Sequence, residues 1–437
     1  MATQSLAGAP AIEFAAELVQ RAVAVGADEA QVMTVGFDRF EIDFSERKVD
    51  LLRTTSNETT SILVFRGGKR GSASLNGRSP EEIESALASA RSAADAGLAD
   101  PANRIAEAPS LPASHYGAEA PDRDAMIERV MGYTRELGAR YPLIRTRNSI
   151  YTFLTKQAHF ANSRGVRQQE RRAWYVFGAM FSAKDGTRAT SFNYSGAASY
   201  APFEQLLGVG TVQPLIEQIL RSFDARPVPE KFVGDVILTP DCLAHFVPTL
   251  ARALNGYELM AGTSPYKDKK GEAIASPLFS LINRPRNPAF PEGCDFDGFG
   301  IPTADVDVVS RGRLDNFLID FYIAHKLGLE QTAGVWNFVV PPGDRSLDDI
   351  IAGTRRGIIL SRFSGGMPNS NLDFSGVAKN SFYVEDGKVR HALTETMVSG
   401  NLQELFRNIH AVSREHVNFG DHDYPNLAAS GVTISPK

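Results

Sequence analysis

The sequence predicts an α+β fold in two domains, built on mainly antiparallel sheets. Three observations carry this. At 437 residues the chain exceeds the roughly 250–300 residues at which a single core stops growing. Its strand-like runs are joined by Gly- and Asp-rich turns, without the regular βαβ alternation of a parallel sheet. A helix followed by a strand meander occurs twice before the pattern changes near a Pro-containing link, Arg226 to Pro229. The expected division is therefore 1–225, with a linker near 98–121, and 226–437. The second domain has strands enough to close into a β-barrel with helices.

Ile12, Ala15, Ala16, Val19, Ala22 and Val23 recur at helical spacing and stop at Gly26, a residue suited to a helix end. Short strands are expected at 30–35, 39–43, 49–53 and 59–65, with Gly67-Gly68 turning the chain into 71–75. Ser79-Pro80-Glu81-Glu82 combines an N-cap, a proline at the first helical position and a capping-box glutamate. From Leu98 to Pro121 periodicity vanishes, which predicts a surface linker or an extended wrap. A second cycle follows: a helix over 124–137, then strands at 144–153, 157–162, 172–184 and 187–198, turned by Asn162 to Gly165 and by Lys184-Asp185-Gly186.

In the second domain a buried strand, Gly234 to Leu238, leads into a helix from Asp241 to Leu254. Strands are expected at 275–283, 305–310, 313–322, 337–340, 357–363 and 431–435, and a helix capped by Ser346 with Asp349. The clearest signal is a hairpin, 380–385 and 388–393, around Asp386-Gly387. Thr394, Glu395, Thr396, Ser399 and Gly400 then make a polar corner. Asn401 caps a helix with Glu404 at its third position, and Leu402, Leu405, Phe406 and Ile409 form its apolar face.

Composition excludes several function classes. With 43% hydrophobic and 22% charged residues the chain is globular in character, and its net charge of −5 is thinly spread, unlike the clustered basic face that nucleic acid requires. The densest basic run, Arg164 to Arg172, alternates with polar residues and predicts a solvated strand face. Cys242 and Cys294 make neither a disulfide framework nor a zinc spacing, so a reduced, cytoplasmic protein is expected. No signal-peptide pattern and no run of about 20 apolar residues argues for a membrane.

Motifs for other chemistry are weak. Ser364-Gly365-Gly366 and Gly262-Thr263-Ser264 lack the setting of a nucleophile elbow, and Gly293 to Gly300 lacks the Lys-Ser/Thr of a phosphate loop. Asp295 and Asp297 read as turn residues, with calcium ligation as the alternative. Cys242 with His245 could share a helix face, and Glu415, His416, Asp421, His422 and Asp423 form a second polar cluster. A core thiol beside a satisfied histidine, and a solvated loop, are the expected roles.

The polar corner and its surroundings resemble the TldD/PmbA peptidase-related family. Asn371, Asp373, Phe374 and Ser375 carry the match, then Ala392, Thr394, Glu395, Thr396, Ser399, Gly400, Asn401 and Leu402, then Asn408, Ile409 and Ala411 to Ser413. Gly262 to Ser264, Gly271 to Leu278 and Gly26 to Val32 also fit. The family has a TldD type with a zinc motif, H-E-x-x-x-H, and a TldE/PmbA type without it. Counting back from Gly262 places the motif's His, Glu and His on Val247, Pro248 and Arg252, none of which can ligate zinc or take a proton from water. The resemblance thus implies a chain with no catalytic residues and no cofactor of its own. It would pair, as a heterodimer, with a TldD-like catalytic subunit that holds the zinc, and the pair would degrade or trim unfolded peptides, including leader peptides. Asn371, Asp373, Thr394, Glu395, Thr396 and Ser399 either face a peptide cleft or lock the hairpin to the helix. The alternatives are a zinc-free homo-oligomeric peptide-binding protein, which would homodimerise when isolated, and an active peptidase with a non-standard metal site. The old family label of DNA gyrase modulator is disfavoured by the missing basic patch.

Overall fold

The computed structural model describes residues 9–437 except Arg47 and Met367. Its strands fall into two sheets, both mainly antiparallel. The first has eight strands within residues 29–199, in the order 69–75, 48–66, 29–45, 144–162, 167–185, with 114–116 parallel at the far side and 193–199 also on 167–185. Expected pairs of short strands merge into long ones: Glu29–Ser45, Lys48–Arg66 and Ile144–Asn162. Glu29–Ser45 has partners on both sides, and their ladders carry its backbone through Gly36-Phe37-Asp38, where the side-chain pattern gives no strand signal. On Lys48–Arg66 only Thr60 to Arg66 pair with Lys69–Leu75, leaving the outer edge of 48–59 without a strand partner among the described residues.

Alternation along Glu29–Ser45 assigns its two faces. Val32, Phe40, Ile42 and Phe44 face four helices. Ala11–Ala24 and Pro80–Ala96 pack around Phe14, Leu18, Ile62, Ile83 and Leu87, while Arg123–Arg140 and Val212–Arg221 pack around Tyr133, Tyr151, Phe177 and Ile216. The Ser79 capping box forms as expected. The helix Val212–Arg221 had no sequence expectation. Leu98 to Pro121 is an extended wrap, held by Asn162 Nδ2 donating to the Ala106 carbonyl and Gln168 Nε2 to that of Pro109.

The second sheet lies within residues 232–436, and its hub is Asp423–Pro436. That strand pairs with Phe232–Leu238, Thr396–Asn401 and Ile409–Asn418, all antiparallel, and through Asp423 with Phe338–Val339, which is parallel. Arg356–Leu360 adds a second parallel pair, with Phe232–Leu238. The expected barrel does not close; the sheet is a half-barrel. One path through it ends at Arg313–Leu314 and Lys388–Ala392, short charged strands that suit solvent-facing edges. The expected strand 313–322 stops at Leu314, and Asp320 instead caps a helix, Phe321–Leu327. That over 275–283 shrinks to Leu281–Asn283, because Ser276-Pro277 makes a turn. The Asp386-Gly387 hairpin forms, with both residues at positive φ (48° and 72°). No described helix is long and apolar enough to cross a membrane.

The segment 293–303 joins the two halves. Met33, Val35 and Phe160, on the face of the first sheet away from the helices, pack with Phe296. Gly300 has φ 76° and lies so close to Phe160 that a Cβ would stand 2.2 Å from the ring. Gln31 Nε2 and Gln168 Nε2 donate to the Gly298 and Gly300 carbonyls at 3.0 and 2.8 Å.

Here the expectation for Arg164 to Arg172 fails. Gln168, Glu170 and Arg172 are buried, because alternate residues of Arg167–Asp185 turn toward 293–303. Arg172 Nη2 donates to Asp295 at 2.8 Å, Nε to Glu170 at 3.2 Å and Nη1 to the Tyr200 hydroxyl at 2.8 Å. Burial pulls its pKa down, and Glu170, Tyr200 and Asp295 more than reverse that. Asp295 is thus occupied by Arg172 and Tyr116, while Asp297 Oδ1 accepts the N–H groups of Phe299 and Ile301. The two carboxylates serve the junction and do not share a cation site.

Arg172→Ala removes the buried cation shared by Glu170 and Asp295, leaving them Lys156 at 3.3 Å and Arg286 at 3.8 Å, and is expected to destabilise the chain by about 3 kcal/mol in urea denaturation. Arg66→Ala, which breaks an exposed pair with Asp95, should cost under about 1 kcal/mol. Burial raises the Asp297 pKa from 3.8 to about 6, so the folded chain holds a proton that the unfolded chain has released. Its contribution to stability is present below the unfolded pKa and lost as pH rises through the folded one. Asp297→Asn should remove that loss, gaining on the order of 1–3 kcal/mol near pH 8 and little near pH 4 in paired urea titrations.

Candidate functional site

The helix Pro240–Ala253 begins on a proline, whose missing N–H has no helical partner at that position. Cys242, Leu243, Phe246, Val247 and Leu250 enter the core. Asp241, His245, Pro248 and Arg252, at helical spacing, form the face left toward solvent. Positions 247 and 252 are about 140° apart around the axis. Val247 is fully buried, whereas Arg252 is exposed. The zinc that the resemblance implies for a TldD-type chain therefore has no donor set here: one position holds a core methyl group, one a proline, one a fixed cation. Among the described residues no three His, Cys, Asp or Glu side chains converge as ligands. Cys242 is fully buried, which pushes its thiol pKa well up, and His245 is pushed down by burial and by Arg362.

The polar corner divides into two knots. Asn401 caps Leu402–Arg407 by accepting the Gln403 N–H at 2.9 Å, and its Nδ2 donates to the Asn371 carbonyl and to Asp373 Oδ1, both at 2.9 Å. Asn369 completes this knot by accepting the N–H groups of Asn371 and Asp373. Sequence reasoning passed over Asn369, although Pro368-Asn369-Ser370 has turn composition. Glu395 lies between Lys379 and Lys437, which hold its carboxyl down at about 2. Thr394 is exposed with its N–H on the Arg226 carbonyl, Thr396 is fully buried, and Ser399 is half-buried opposite Ser375 and Thr433. Asn371, Asp373 and Asn401 come together; Thr394, Glu395, Thr396 and Ser399 do not join them.

The C-terminal end of the helix's solvent face opens into a cavity of about 320 Å³, lined by Arg252, Glu258, Thr263, Asn369 and Ser370, so the helix and the Asn371 knot border the same space. At the other end Thr211 donates to Asp241 at 2.7 Å and shares a 2.6 Å hydrogen bond with Ser195. Ser195 also lines a groove of about 420 Å³ with Met180, Tyr194, Glu292, Asp421 and His422. Glu292 is solvent-exposed yet walled in by the concavity, and desolvation with Asp421 nearby raises its pKa. Asp421 holds His422, and Asp423 holds His416, each at 2.6 Å, so the cluster from Glu415 to Asp423 resolves into separate pairs. Ser195, Thr211 and Asp241 have hydroxyls and an acid without an imidazole between them, which locks a turn and activates no nucleophile. The arrangement offers hydrogen-bonding groups and charges at two separate cavities.

The PmbA/TldA metallopeptidase C-terminal domain matches residues 231–436. The chain is similar to the metalloprotease PmbA homolog of Haemophilus influenzae, 24% identical over 92% of this chain and 90% of that one. It is similar also to the metalloprotease PmbA of Escherichia coli O157:H7, 24% identical over 93% and 92%. The solved TldE of Thermococcus kodakarensis shares the fold, with a TM-score of 0.80 at 22% identity over 96% of this chain and 99% of that one. The similarity thus spans both sheets, and these matches together support a TldD/PmbA/TldE-family, peptidase-related protein.

Proposed function

We propose that this chain is the TldE/PmbA-like, non-catalytic subunit of a heterodimeric peptidase. Its TldD-like partner carries the zinc and cuts; this chain completes the chamber that holds unfolded peptides or leader segments. One observation carries the reading: the helix that bears H-E-x-x-x-H in the TldD type presents Val247, Pro248 and Arg252, and Val247 is built into the core. A metal there would require changing the packing of the helix as well as its surface. The cavity between Arg252 and the Asn371 knot, with the groove beside Asp241, gives the chain polar walls for a peptide backbone. A second reading, a zinc-free homo-oligomer that binds peptides, draws on the unpaired edge of 48–59, which suits strand addition by another chain.

Metal analysis and peptidase assays on unfolded peptides test both, with the purified chain alone and mixed with a TldD-like partner. Zinc confined to the partner and cleavage dependent on the mixture are expected. Stoichiometric zinc and cleavage by this chain alone would overturn the subunit reading. Self-association without any complex with the partner would favour the homo-oligomer.

A further inference from the structure

Building on the peptide-processing reading, we propose that Arg362, with His245 and Lys379 beside it, forms a subsite for a carboxylate of the bound peptide. Arg362 is half-buried and forms no ion pair with an acidic side chain among the described residues. Its Nη2 donates to Ser191 Oγ at 3.0 Å, and its Nε is buried without a partner. The guanidinium lies 4.3 Å over the Phe192 ring, and desolvation lowers its pKa.

Its neighbours add positive charge. Lys379 is directly opposite Arg362 in the antiparallel pair Arg362–Ser364 with Asp373–Lys379, so the two cations share a face of the sheet, an arrangement that costs stability unless an anion intervenes. Glu395, which holds Lys379, is divided between that lysine and Lys437. The helix Pro240–Ala253, which carries His245, packs against Arg362–Ser364, with the Phe246 and Phe363 ring centroids 5.3 Å apart, and Arg362 depresses the His245 pKa. Phe192 and Tyr194 flank the cations and are 46% and 47% exposed, an aromatic rim that an extended peptide would cover.

A carboxylate suits this site because the guanidinium offers paired donors in a plane that matches its two oxygens. Either a peptide C-terminus or a Glu or Asp side chain supplies that chemistry. On this view the subunit selects where along the cleft a peptide is anchored, while its partner cuts.

The test uses the full chain, alone and assembled with a TldD-like partner, and fluorescence anisotropy with one unstructured labelled peptide in matched versions: C-terminus free or amidated, an interior Glu present or replaced by Gln. Loss of the recognised carboxylate should weaken binding about tenfold. Sensitivity to amidation assigns the terminus, and sensitivity to Gln assigns the side chain. Arg362→Gln should abolish the difference and leave the amidated, Gln-containing peptide bound as before. Lys379→Gln, at the rim and with Lys437 still present for Glu395, should reduce the difference severalfold. Equal binding of all versions, or a preference that survives Arg362→Gln, overturns the subsite while peptide binding stands. Binding of no version by chain or complex overturns the peptide-processing reading and the subsite together.

Discussion

Burial of Arg172 between Glu170 and Asp295 is the constraint on which the arrangement of the two sheets rests. A guanidinium withdrawn from water is tolerable only while its carboxylates are in place. Glu170 and Arg172 sit on the first sheet, and Asp295 arrives on the segment 293–303. A shift of that segment by one residue would leave a charge unpaired in a site already closed by Phe160 and Phe296. The network therefore specifies one docking geometry. Helices on one face of the sheet need only apolar contact, whereas the other face is fixed by charge.

What the sequence made legible was local. Ser79 with Glu82, Ser346 with Asp349, and Asp386-Gly387 each satisfy their own backbone within a few residues, and each formed as read. What it concealed was set by distant partners. Thr54 to Thr59 have no apolar alternation, yet they lie in a strand because Glu29–Ser45 pairs with them throughout. The burial of Arg172 depends on a residue more than a hundred positions away, so its run of basic neighbours gave the opposite impression. At the candidate site the polar corner was recognisable as a corner, but its division was not: Asn401 reaches Asn371 and Asp373, whereas Glu395 turns to Lys379 and Lys437. The cavity that joins Arg252 to Asn369 is likewise a product of the fold.

The helix Pro240–Ala253 divides its residues between the core and solvent. Val247 contributes apolar area to the core, and burying such a side chain is worth about 1.5–3 kcal/mol. Its neighbours keep the solvent face polar, with Asp241 tied to Thr211 and His245 set near Arg362. Among the described residues the helix meets no converging set of metal ligands on that face, and its C-terminal end borders the cavity shared with Asn369.

The position of Asp423–Pro436 at the hub of the second sheet has a consequence for the order of assembly. Phe232–Leu238, Thr396–Asn401 and Ile409–Asn418 all pair with it, so the sheet as a whole is complete only once residue 436 has been made. The first sheet is complete at residue 199, before the segment 293–303 that covers Glu170 and Arg172 has been made. Those charges keep the waiting face hydrated and discourage it from sticking to other nascent chains. The charged side chains that lock the finished molecule would thus, until that segment arrives, serve as a temporary solubilising coat.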